Sequence, residues 1–316
     1  VVQLSSGLTN AGTITATGTG VFIGYYGQLT NQAGGVISGG TRAIGPNGNF
    51  AVFNASIANA GTINGDVTFG PSSSGSTYGN NNIYYALPGG VLNGNLTLSN
   101  GDLLVAEASG SSGNRFAGIT GTVSGAMAGL RLRVRSDTTA TLPTATQFAT
   151  VGYDLFDKAA LTLTGTAASR PLTVAGQGTV DLTADIATTT GAALTTTSRT
   201  LAPGETYAAN ALTIISRGTL SLVPANTNLY LGGVVLLGDG DTFTNAGTIA
   251  ATGRTTNGYN PIAAIANGKS VTNDGTITLD GAVGVQRAQS VTNSGRIVQA
   301  AGCPLYPSDA AEDLTR

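Results

Sequence analysis

Apolar and polar residues alternate along this chain in a phrase that recurs. Val271-Thr272-Asn273-Asp274-Gly275-Thr276-Ile277 states it in full, and near copies occupy residues 8–14, 57–63, 243–249 and 291–297. A copy longer by one residue starts at Leu29-Thr30-Asn31 and reaches Ile37. In extended chain, alternate side chains point to opposite sides. Val271, Asn273, Gly275, Ile277 and Leu279 therefore share a core side, and Thr272, Asp274, Thr276 and Thr278 share a solvent side. An inward Asn is costly unless its amide is paired. Stacked copies would pair Asn10, Asn31 and Asn59, and likewise Asn245, Asn273 and Asn293, in amide ladders. Asn and Gly also tolerate the left-handed backbone of a tight turn, so the phrase predicts strand, corner, strand.

The spacing supports stacking. Copies begin at 8, 29 and 57, and again at 243, 271 and 291, which gives a unit of 20 or 21 residues, stretched to 28 by a short insertion. Such a unit suits one coil of a β-solenoid, in which each coil contacts only its neighbours. Neighbouring coils would lie about 4.8 Å apart, the ordinary strand spacing.

This pattern divides the chain. Residues 1–105 form a first repeat block, with a low-complexity loop at Pro71-Ser72-Ser73-Ser74-Gly75-Ser76 running towards Asn80-Asn81-Asn82. Residues 106–235 are less regular: short strands separated by Gly, Ala, Thr and Pro, with no sustained helical period. They read as degenerate solenoid coils, with an inserted β-sandwich as the alternative. Residues 236–302 are a second clear block. The last stretch, from Cys303 to Arg316, holds the only Cys, a cluster of acids and no Gly. It reads as a non-native translated adaptor, against a genuine loop after the last coil, and is set aside from the fold.

Composition narrows the function classes. Gly is 47 of 316 residues, charged residues are 9%, and the net charge is −2. That gives no electrostatic case for nucleic acid or a general membrane surface. Hydrophobic residues at 41% argue against disorder. His is absent, which removes the commonest general base and nitrogen ligand, and the single Cys allows neither an internal disulfide frame nor a thiolate zinc site. Cysteine avoidance fits a bacterial exported protein. The chain opens in a strand-like run, Val1-Val2-Gln3-Leu4, without initiator Met or signal peptide, and reads as an internal fragment of something longer.

The phrases Phe243-Thr244-Asn245-Ala246-Gly247-Thr248-Ile249 and Val291-Thr292-Asn293-Ser294-Gly295 resemble the repeats of bacterial autotransporter passenger domains and of filamentous-haemagglutinin-type exoproteins. The resemblance covers both regular blocks, and the middle only by composition. It implies an all-β, right-handed parallel β-helix with coils of about 20–28 residues and loop insertions, exported by a type V route. It also implies an extracellular or cell-surface location, with membrane attachment only through a C-terminal barrel outside these residues.

Several constellations are weighed against plain structural readings. Arg131-Leu132-Arg133-Val134-Arg135 places three arginines on one strand face, either a cationic stripe for sulfated or acidic glycans or simply a solvated strand. Tyr25-Tyr26 and Tyr84-Tyr85 would stack on sugar rings, or else pack edges and anchor loops. Asp154 with Asp157, and Asp181 with Asp185, are acid pairs of the type used by glycan-cleaving β-helices, against ordinary exposed acids. Gly238-Asp239-Gly240-Asp241 lacks the recurrence a calcium repeat needs and reads as a turn. An ice-binding Thr array breaks at Thr62/Asn64, Thr248/Ala250 and Arg296/Val298.

The expected function is therefore structural and adhesive. A surface fragment would present loops to glycans, host or cell-surface proteins, or copies of itself, with no catalytic residue, cofactor or metal. The alternatives are a polysaccharide-acting β-helix lyase or hydrolase, and an ice-binding or passive cell-wall or filament protein.

Overall fold

The computed structural model describes residues 2–4, 6–48, 52–70, 80–125, 127–142, 147–165, 169–223, 233–253 and 262–299. The loop expected at Pro71 to Ser76 and the tail from Cys303 lie outside these residues. Among the described residues every element is a strand, and each registered pair of strands is parallel, joining one coil to the next. The fold is a parallel β-helix, not a barrel closed on itself. The chain divides into two compact units: Val1–Arg133 with Thr144–Gly152 and Thr200–Thr206, and Val134–Pro143 with Tyr153–Arg199 and Tyr207–Arg316.

In the first unit each regular coil supplies one strand to each of three sheets. Gly7–Asn10, Thr13–Ala16 and Thr19–Ile23 make one such coil; Gln28–Asn31, Val36–Gly39 and Arg42–Gly45 make the next. In-register pairing stacks like on like. Leu8, Leu29, Ile57, Tyr84, Leu104 and Leu130 form one inward column. Ile14, Ile37, Ile63 and Leu92 form a second. The phrase thus sets register by itself, because a slip of one residue would turn each core side chain to solvent.

The second unit repeats the scheme. Leu161, Val180, Ile214, Phe243, Val271 and Val291 form one column, and Ile186, Leu220, Ile249, Ile277 and Ile297 another. Val271 and Ile277 are wholly buried, while Thr272 and Thr276 are half-buried on the opposite side. Strands of the irregular middle, such as Thr138–Leu142 and Ala160–Gly165, join the same parallel stacking. Each fully buried Leu, Ile or Val in these columns contributes about 1.5–3 kcal/mol relative to exposure.

The corner glycines are required for a different reason from the one expected. Neither they nor the ladder asparagines of the phrase have a left-handed backbone; Gly34, the extra residue of the longer copy, does, at φ 83°. Close approach is what demands them. A Cβ on Gly61 would lie 2.3 Å from the Gly35 carbonyl oxygen, one on Gly275 2.1 Å from that of Gly247, and one on Gly295 2.2 Å from that of Gly275. Each corner sits directly on the backbone of the corner before it, at a distance no side chain permits.

Candidate functional site

The inward asparagines form two ladders. Asn10 Nδ2 donates to Asn31 Oδ1 and Asn31 Nδ2 to Asn59 Oδ1, each at 2.9 Å. Asn245 Nδ2 donates to Asn273 Oδ1 and Asn273 Nδ2 to Asn293 Oδ1, each at 2.7 Å. Their Nδ2 groups also reach corner carbonyls, as from Asn31 to Gly35 and from Asn245 to Thr276. These side chains are consumed by the fold and face no ligand.

A second corner device escaped sequence reading. Several Asp side chains accept backbone N–H groups from an adjacent coil. Asp66 takes Asn95 N at 2.8 Å, Asp137 takes Ala160 N at 2.9 Å, and Asp185 takes Thr219 N at 2.6 Å. Asp102 and Asp241 are the buried versions. Each closes a four-residue turn, accepting from Ser99 N at 2.7 Å and Gly238 N at 3.0 Å respectively. Each also reaches across coils, to Asn82 N and Leu212 N, both at 3.0 Å. The available signal was the shared Gly-Asp ending of Ser99-Asn100-Gly101-Asp102 and Gly238-Asp239-Gly240-Asp241, just before an apolar strand.

Burial pushes the Asp102 carboxyl up to about 6, against the pull of its bonds from Ser99 and Asn82. Because the folded pKa exceeds the unfolded value, this group adds stability in full below about pH 4 and loses it as pH rises through about 6. At 1.36 kcal/mol per pKa unit the swing is on the order of 3 kcal/mol. Asn at this position does not titrate. The stability of wild type relative to Asp102→Asn is therefore expected to fall between pH 4 and 7, as read by urea unfolding at both pH values. A difference that stays constant would contradict the shift.

The three arginines do not form one solvated stripe. Arg135 is exposed and Arg131 half-buried, but Arg133 is only 1% exposed. Arg133 Nη2 bonds Glu205 Oε1, and Nη1 lies 3.8 Å from Glu107 Oε1. Glu205 Oε2 in turn accepts Ala202 N at 2.9 Å, across a turn through Pro203 and Gly204. Tyr85 Oη donates to Leu201 O at 2.9 Å, and Ala202 packs with Ala58, Tyr85 and Val105. The segment Thr200–Thr206 is thus strapped onto the outer side of a sheet of the first unit, which is why these outward residues are buried. Glu205 lies 72 positions from Arg133, so alternation alone placed the arginine outside without foreseeing its cover.

The tyrosine pairs separate. Tyr25 and Tyr26 are 58% and 67% exposed, with Tyr25 stacked on Phe53 at 5.2 Å. Tyr84 is wholly buried in a core column, and Tyr85 lies under the strap. Burial raises the Tyr84 phenol well above its usual pKa, with the Asn59 side chain pulling slightly downward.

The paired acids take separate roles as well. Asp154 is buried, and Asp157 lies on an exposed turn with φ 54°. Asp181 pairs with Arg217 Nε at 2.9 Å, and Asp185 holds Thr219 N. Among the described residues no group of three or more His, Cys, Asp or Glu is arranged to hold a metal ion, and no helix is long and apolar enough to cross a membrane.

Arg135 and Arg199 converge on Phe156. Their guanidinium carbons stand 4.3 and 4.5 Å from the ring centroid. Arg199 reaches the ring past Gly176, where a Cβ would meet Arg199 Cδ at 2.9 Å and Leu155 O at 2.1 Å. Compared with known proteins, the chain matches no family model, no curated protein and no solved structure.

Proposed function

We propose that this chain is a stalk-like fragment of an exported bacterial surface protein. In this reading the β-helix carries no active site and presents its outer faces and inserted loops for adhesive contact with glycans, surface proteins or copies of itself. The observation that carries the reading is how the acids are spent. Asp66, Asp102, Asp137, Asp185 and Asp241 all hold backbone N–H groups of neighbouring coils. A glycoside hydrolase or lyase needs carboxyls released from such duties and facing one groove. The likeness of the phrase to autotransporter and filamentous-haemagglutinin-type repeats supports export and a surface location.

The test pairs two assays on the purified chain. Adhesion to a glycan array and to cultured cells is expected, while a panel of acidic and neutral polysaccharides should show no release of reducing ends or unsaturated products. Turnover of any polysaccharide, abolished by Asp157→Asn or Asp181→Asn, would replace this reading with the enzymatic one.

A further inference from the structure

We propose that the corner bearing Tyr25 and Tyr26 is a subsite for a neutral pyranose ring of a glycan, with Tyr26 as its stacking face; the choice of a glycan rests on the adhesive reading above. This corner is longer than the one it stacks on. Leu4 and Gly7 stand in register with Ile23 and Gln28, yet two residues join the first pair and four join the second. The added length carries the two tyrosines.

Tyr26 is strained, and its surroundings do not offset the strain. Its φ is 55°, and it is the one aromatic residue with a left-handed backbone among the described residues. The same position, two residues before the paired strand, holds Asn54, Asn81 and Gly101 in the following coils, at φ 52°, 54° and 76°. Asn and Gly tolerate that conformation, and a bulky side chain does not. The corner therefore calls for Asn or Gly, and Tyr there costs free energy. Packing supplies no compensation, because the ring is mostly exposed. A strained backbone that holds a large ring out to solvent points to contact with a ligand.

The chemistry around the ring selects that ligand. Tyr joins an apolar face to a polar edge, which suits the C–H face and the hydroxyls of a sugar. Tyr25 beside it is steadied by its stack on Phe53 of the next coil. Asn54 and Asn81 are exposed in line with Tyr26. Their amides offer donors and acceptors to sugar hydroxyls at the roughly 4.8 Å spacing of neighbouring coils. Residues 24–28, 52–56 and 80–83 include no Asp, Glu, Lys or Arg, so nothing in the corner favours an ionic ligand.

The experiment measures retention of the whole chain on cellulose, chitin, mannan and unsubstituted dextran, with sulfated dextran as the charged reference. Wild type should bind at least one neutral polymer, and added salt should not weaken that binding. Tyr26→Asn should weaken it roughly tenfold, the loss of one stacking contact. Its melting temperature should stay level or rise, because Asn relieves the strain. Tyr25→Ala should weaken binding by a smaller factor. Tyr207→Asn, which removes an exposed tyrosine of the second unit, should change nothing.

Failure to bind any of the neutral polymers would overturn the inference, as would equal binding by wild type and Tyr26→Asn. A lower melting temperature for Tyr26→Asn would give the ring a structural role and overturn it too. So would cell adhesion that is lost both in Tyr26→Asn and on protease treatment of the cells, since the partner would then be a protein. Adhesion to cells or to other glycans that is untouched by Tyr26→Asn would remove only this site and leave the adhesive reading standing. No adhesion to any glycan or cell would remove both.

Discussion

Ile277→Asp is expected to open the coils around it. Ile277 is wholly buried between Ile249 and Ile297 in its column. The substitution removes about 1.5–3 kcal/mol of apolar burial and places a carboxyl where no donor waits. The group will take up a proton rather than stay charged in such a site, and that neutralisation has its own cost at neutral pH. A total loss on the order of 5 kcal/mol follows, a large fraction of what a domain of this size has to spare. Because coils contact only their neighbours, the damage should be local: strands Thr248–Thr252, Thr276–Asp280 and Arg296–Gln299 lose protection from hydrogen exchange first. Thr276→Asp, one residue away on the outer side, should change stability by no more than about 0.5 kcal/mol. Equal exchange protection in the two variants would refute the inward assignment.

Asn273→Leu is the second large effect. Asn273 accepts from Asn245 and donates to Asn293, so its removal strands a buried donor above and a part-buried acceptor below. Each orphaned group costs about 1–3 kcal/mol, and a loss of roughly 2–4 kcal/mol is expected in urea unfolding. Replacing all three ladder asparagines by Leu should cost less per site, since no ladder amide is then left unpaired and only the weaker bonds to the Thr276 and Arg296 carbonyls are lost. An internal control exists on the outer side. Asn93 Nδ2 donates to Asn64 Oδ1 at 2.9 Å in an exposed pair of the same chemistry. Asn93→Ala should be nearly silent, because water replaces the lost bond. If Asn273→Leu were equally silent, the ladder would contribute nothing to stability.

The fold was legible wherever it rests on local alternation. Val271, Asn273 and Ile277 declare their side by spacing alone, and the ladder follows from stacking identical phrases. The reason for Gly275 was not legible. Its absent Cβ answers to the Gly247 carbonyl of the coil before it, and only the stacked backbone reveals how close that approach is. The surface was harder still. Alternation puts Arg133 on one strand face with Arg131 and Arg135, and nothing local shows that a strap 72 positions further on buries it, or that the same strap, 116 positions beyond Tyr85, covers that tyrosine. Tyr84 reads as a sugar-stacking residue beside Tyr85, but alternation puts adjacent tyrosines on opposite sides, and one of them had to enter the core. The pairing of Arg199 with Arg135 across Phe156 had no local signal, since it depends on side chains that converge from three separate strands or loops.

The amide ladder has a mechanical consequence. In a stack of coils the inter-strand bonds run along the stacking direction, so tension along that direction loads the sheets joining two coils all at once. The ladder amides point the same way and act as a further strut through the interior. A layer separates only when its backbone bonds and its strut fail together, which favours abrupt rupture over gradual peeling. In the second unit the strut has a defined end. Ser216 stands in register with Asn245, and neither Ser216 Oγ nor Asn245 Oδ1 finds a partner. Under pull, the junction between strands Ala211–Ser216 and Thr242–Asn245 has no amide strut at the Ser216 end and relies on its backbone bonds and on the Asp241 and Thr242 side chains at the other, so its Ser216–Asn245 end should open before the layer at Asn273 does.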